Sequence, residues 1–140
     1  VIHITSRGKL KNKIEIDGYH QFEYVENIED YYAAADYVVS RAGANTLFEL
    51  LSLNKPTIFI PLPKKESRGD QILNAKHFFN KGMCSMILQE NLNINEFLKT
   101  LNELKVKEKE LRASIKTLNL KDSNKKIVDL IIKYSTISSI

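Results

Sequence analysis

The chain is 140 residues long, 43% hydrophobic and 27% charged, with five Gly and three Pro. That composition describes a single folded domain and excludes a disordered or fibrous chain. No apolar run approaches the ~20 residues that a membrane-spanning helix needs, and a lone Cys, Cys84, excludes an internal disulfide framework or a Cys-based zinc site and suits a reducing compartment.

Short apolar runs alternate with amphipathic stretches along the chain. The opening Val1 to Thr5 reads as a strand and has none of the basic and apolar regions of a secretory leader. Further strands are expected at Lys13 to Ile16, Phe22 to Val25, Tyr37 to Ser40, Thr57 to Pro61 and Ser85 to Leu88. Helices are expected at Ile28 to Ala35, Asn45 to Leu53, Asp70 to Lys81, Ile94 to Leu104, Lys107 to Leu118 and Ser123 to Tyr134. Strand, helix, strand at this spacing implies right-handed crossovers, hence an α/β fold with a Rossmann-like parallel sheet and helices on both faces. The longest irregular stretch is Leu62 to Gly69, which joins the end of one strand to the start of a helix.

The net charge of +4 does not point to nucleic acid. Residues 1–50 hold 5 Lys/Arg against 8 Asp/Glu, and residues 101–140 hold 9 against 5. In the latter, Lys105, Lys107 and Lys109 alternate with Glu103, Glu108 and Glu110, the pattern of a solvated helix face. Tyr31, Tyr32 and Tyr37 are not interleaved with Lys or Arg as base-stacking aromatics are. His3, His20 and His77 are scattered, without carboxylate or Cys at ligand spacing, so no metal site is expected. Ser40 and Ser67 have no His near them in sequence to suggest a hydrolase triad.

Two segments carry a chemical signal. In the first, the strand ending Val39-Ser40 runs through Arg41-Ala42-Gly43 into a helix that opens at Ala44 to Thr46. Small residues let a ligand approach the backbone, and the unpaired amides of a first helical turn favour a phosphate. Glu49 lies four residues after Asn45 on the same face, where a carboxylate suits a neutral donor such as a ribose diol. The same residues also admit a plain capping box, with Thr46 at the cap and Glu49 returning to its amide. In the second segment, Ile60-Pro61-Leu62-Pro63 ends a strand, and a helix starts with Asp70 and Gln71, followed by Asn74. These side chains offer donors and acceptors without a nucleophile, as reading sugar hydroxyls requires. Asp70 alone is also explained as an acid complementing the helix dipole.

Together, Arg41-Ala42-Gly43-Ala44-Asn45-Thr46-Leu47-Phe48-Glu49, Pro56, Ile60-Pro61 and Arg68-Gly69-Asp70-Gln71-Ile72-Leu73-Asn74-Ala75 resemble the donor site of the MurG family of GT-B glycosyltransferases. Asp36 to Arg41 and the opening Val1 to Thr5 also fit, while the family's Gly-x-Gly turn after the first strand is here Thr5-Ser6-Arg7-Gly8. The resemblance implies that residues 1–140 form the C-terminal, UDP-GlcNAc-binding domain, one half of a GT-B enzyme whose N-terminal acceptor domain is absent from this chain. It implies a diphosphate at Ala44, Asn45 and Thr46, ribose at Glu49, GlcNAc at Asp70 and Gln71, and uracil at Val25. It places no catalytic residue in this domain and calls for no cofactor. The full enzyme would move GlcNAc from UDP-GlcNAc to lipid I, making lipid II for peptidoglycan, on the cytoplasmic side of the membrane as a peripheral protein. Two alternatives stay open: a stand-alone nucleotide-sugar-binding subunit of a two-chain GlcNAc transferase, and a non-catalytic Rossmann-like interaction module.

Overall fold

The computed structural model describes residues 1–10, 12–118 and 128–134. Val1–Ala35 forms one compact unit and Asp36–Ile140 the other. In the first unit, strands β1 (Ile2–Ile4) and β2 (His20–Phe22) pair in parallel, with Ile2 opposite His20, and helix α1 (Ile28–Ala34) follows. Phe22 meets Tyr31 of α1 edge-on at 5.7 Å. The strand expected at Lys13 to Ile16 does not form. Ile14 and Ile16 are exposed, so the alternation there buries no face, and the Asp17-Gly18 turn leaves only an isolated bridge between Ile16 and Tyr19. The partner of β1 is therefore His20–Phe22, two residues earlier than the expected strand at Phe22 to Val25.

In the second unit, β3 (Val38–Ser40), β4 (Thr57–Phe59) and β5 (Ser85–Met86) form a parallel sheet in that order. Successive side chains of a strand point to opposite faces. Thr57, Ile58 and Phe59 are all buried, so β4 is covered on both sides. Helix α2 (Ala44–Ser52) buries Leu47, Leu50 and Leu51, the i, i+3, i+4 stripe of an amphipathic helix. Phe48 of α2 packs edge-on against Phe78 of helix α4 (Asp70–Phe79) at 5.6 Å. Helices α5 (Ile94–Val106) and α6 (Glu108–Lys116) add Leu104, Leu111 and Ile115 to the core.

The stretch Leu62 to Gly69 is not wholly irregular: Pro63 begins a one-turn helix, α3 (Lys64–Ser67). Too short to show a period, it is invisible to pattern reading. Of the helix expected at Ser123 to Tyr134, residues 128–134 are helical and residues 123–127 lie outside the described residues. No helix among the described residues is long and apolar enough to cross a membrane.

Candidate functional site

The parallel strands β3 and β4 both lead, at their carboxyl ends, into loops that start helices. In open α/β sheets this edge is where ligands bind. A pocket of ≈ 420 Å³ opens there, lined by Gly43 and Ala44 from the β3 to α2 connection and by Glu66, Ser67, Arg68, Asp70, Gln71 and Asn74 from the β4 to α4 connection.

One wall is the start of α2. Gly43 is its N-cap, with no side-chain cap, and the first helical bond runs from Leu47 N–H to the Gly43 carbonyl at 2.9 Å. The amides of Ala44, Asn45 and Thr46 thus have no acceptor within the helix, and its first turn carries no acid. A capping box at Thr46 to Glu49 is not what the structure shows, because the helix starts two residues before Thr46. The other wall is the start of α4, capped by Gly69 in a left-handed conformation (φ 90°), again without a side-chain cap. The Leu62 amide donates to Gln71 Oε1 at 3.1 Å, which fixes the Gln71 side chain and leaves its NH₂ to donate. Asn74 Nδ2 donates to the Ala42 carbonyl at 3.5 Å, tying α4 to the glycine turn. Ser67 Oγ donates to the Leu62 carbonyl at 3.2 Å.

Arg41 braces the same edge of the sheet. Its Nη1 donates to the Ile60 carbonyl at 3.0 Å and to Gln89 Oε1 at 2.7 Å. Gln89 begins the 3₁₀ turn Gln89–Asn91 after β5, so one guanidinium links the connections that follow all three strands of this sheet.

Of the residues read from sequence, Ala44, Asp70 and Gln71 line the pocket together. Asn45 and Thr46 complete the first turn of α2, and Glu49 lies half-buried a turn further on; none of the three is among the lining residues. Val25 belongs to the first unit, half-buried in the loop between β2 and α1. Of the other lining residues, Gly43 and Asn74 belong to the two segments that carry the chemical signal, whereas Glu66, Ser67 and Arg68 have no binding role in the sequence reading. For Asn74 a signal existed, since it follows Asp70 and Gln71 at the i+4 and i+3 spacings that share a helix face. Cys84 is buried, with Sγ 3.8 Å from the Ala75 carbonyl, and burial pushes its thiol up to about 12, so it is a core residue.

Residues 1–131 match the family model of the glycosyltransferase family 28 C-terminal domain. The chain belongs to that family. A Clostridium botulinum (strain Alaska E43 / Type E3) protein named UDP-N-acetylglucosamine--N-acetylmuramyl-(pentapeptide) pyrophosphoryl-undecaprenol N-acetylglucosamine transferase is 44% identical over 95% of the chain and 38% of its own length. A Legionella pneumophila (strain Lens) protein of the same name is 42% identical over 94% of the chain and 37% of its own length. The family 28 domain described here therefore spans less than two fifths of these relatives. The crystal structure of Acinetobacter baumannii MurG superposes with a TM-score of 0.69 at 24% identity, covering 82% of this chain and 33% of that one. That likeness confirms the Rossmann-like α/β fold.

Proposed function

We propose that this family 28 domain is the donor-binding half of a hexosyltransferase that moves N-acetylglucosamine from UDP-GlcNAc to lipid I, forming lipid II in peptidoglycan synthesis. The observation that carries the reading is the pocket between two glycine-capped helix starts at the carboxyl edge of a parallel sheet. In this reading the α2 amides of Ala44, Asn45 and Thr46 receive the diphosphate. As the sugar C1 bond to UDP breaks, negative charge grows on the leaving phosphate, and fixed N–H groups at that point stabilise it without reorganisation. Asp70, Gln71 and Asn74 meet the GlcNAc hydroxyls, Glu49 takes the ribose hydroxyls, and Val25 is the candidate for the uracil. The acceptor, the base that activates its hydroxyl and the peripheral contact with the cytoplasmic face of the membrane belong to the remaining length of the enzyme.

Titration of the chain with UDP and UDP-GlcNAc, followed by amide NMR, tests this. Shifts are expected at residues 44–49 and 70–74, with those at 70–74 larger for UDP-GlcNAc. Shifts confined to other residues, or none at all, would remove the assignment.

A further inference from the structure

We propose that Arg68 binds the diphosphate of the nucleotide donor; the assignment rests on the donor-site reading above. Arg68 lines the same pocket as Gly43 and Ala44, where the α2 amides begin. It is exposed, and its guanidinium makes no ion pair or hydrogen bond among the described residues, although Glu66 and Asp70 line the pocket with it. It is the one cation among the lining residues. Its backbone is also unusual, since Arg68 (φ 48°) and Gly69 (φ 90°) are consecutive left-handed residues. A non-glycine residue seldom adopts that conformation and does so where the surroundings impose it. Gly69 is buried and holds the turn, because at φ 90° a residue with a side chain would be strained.

Charge decides what Arg68 does. A helix N-terminus supplies only about half a positive charge, whereas a nucleoside diphosphate brings two or more negative charges. With Glu66 and Asp70 in the wall, the lining carries formal charge −1 even when Arg68 is counted. The α2 amides alone leave an anion under-compensated. A planar guanidinium with five donors meets phosphate oxygens bidentately and supplies the balance.

The test is calorimetric titration of the 140-residue chain and its Arg68→Asn and Arg68→Lys variants with UDP, UDP-GlcNAc and uridine. Asn removes the charge and tolerates the left-handed backbone, so folding is expected to persist and the melting temperature to stay near that of the parent. Arg68→Asn is expected to weaken UDP and UDP-GlcNAc by about tenfold to a hundredfold and to leave uridine unchanged. Arg68→Lys should recover part of the loss, since a point charge keeps the attraction without the fork. Unchanged UDP affinity in Arg68→Asn, with the parent binding normally, overturns the Arg68 assignment and leaves the donor reading standing. Equal losses of uridine and UDP overturn it as well, by showing a structural effect. A parent chain that binds neither UDP nor UDP-GlcNAc overturns the donor reading, and the Arg68 assignment with it.

Discussion

Glu49 is half-buried in the second turn of α2, and its carboxylate makes no hydrogen bond or ion pair among the described residues. A helix acid without a structural partner can be removed cheaply, at under about 0.5 kcal/mol. Glu49→Ala is therefore expected to leave the melting temperature almost unchanged while weakening UDP by about tenfold, the loss of one charge-assisted contact. Thermal unfolding and calorimetry on the same variant check both halves; a large drop in melting temperature with unchanged affinity would assign Glu49 to the fold. Cys84 gives the opposite expectation. With its thiol pushed up to about 12 by burial, it should resist a thiol reagent at pH 8 in the folded chain and react at once in denaturant. At this scale the sequence was informative wherever chemistry is local. Gly43 before a helix and Asp70-Gln71 at another helix start could be read directly, and the pocket unites them. The brace made by Arg41 could not be read, because its acceptors lie 19 and 48 residues away, at Ile60 and Gln89, and meet it only through strand order.

Between elements, α6 is fastened to the start of β3 and the end of α2 by a polar cluster. Tyr37, just ahead of β3, donates its hydroxyl to Glu108 Oε2 at 2.6 Å. Arg112 Nε donates to Glu108 Oε1 at 2.8 Å, and Arg112 Nη1 donates to the carbonyl of Asn54, a left-handed residue just past α2. The Tyr37 hydroxyl and the Arg112 guanidinium hold the Glu108 carboxyl below its ordinary value of 4.5. A lowered folded-state pKa stabilises the fold fully above the unfolded value, and the contribution disappears as pH falls through the folded one. The melting-temperature difference between the parent and Glu108→Gln should therefore be full above pH 4.5 and close as acid protonates Glu108. Tyr37 runs the other way, because its hydrogen bond to Glu108 raises its pKa above 10.0. That contribution is present below pH 10 and is lost as pH rises through the raised value, so Tyr37→Phe should converge with the parent at high pH. Element type was legible where the period was long enough to see, as in α2, α4, α5 and α6. It failed at Lys13 to Ile16, where alternating residues face solvent, and at α3, whose single turn follows a proline.

For the whole molecule, the expected division of labour is binding without turnover. The 140-residue chain should bind UDP-GlcNAc yet transfer no labelled GlcNAc to lipid I. Turnover by the chain alone would place the activating base among its own residues. The glycine caps of α2 and α4 have a further meaning at this scale. Helix α5, whose residues do not line the pocket, is closed by its own side chain, with Asn93 Oδ1 accepting from the Glu96 amide at 3.0 Å. The two helices that open on the pocket are left without such a closure, as are α1, α3 and α6. A ligand whose oxygens accept from those amides becomes a detachable end-piece of the secondary structure, supplying bonds that the covalent chain withholds. Bound nucleotide sugar should then slow amide hydrogen exchange at residues 44–46 and 70–72 first, and stiffen both helices from their starts while leaving α5 as it was.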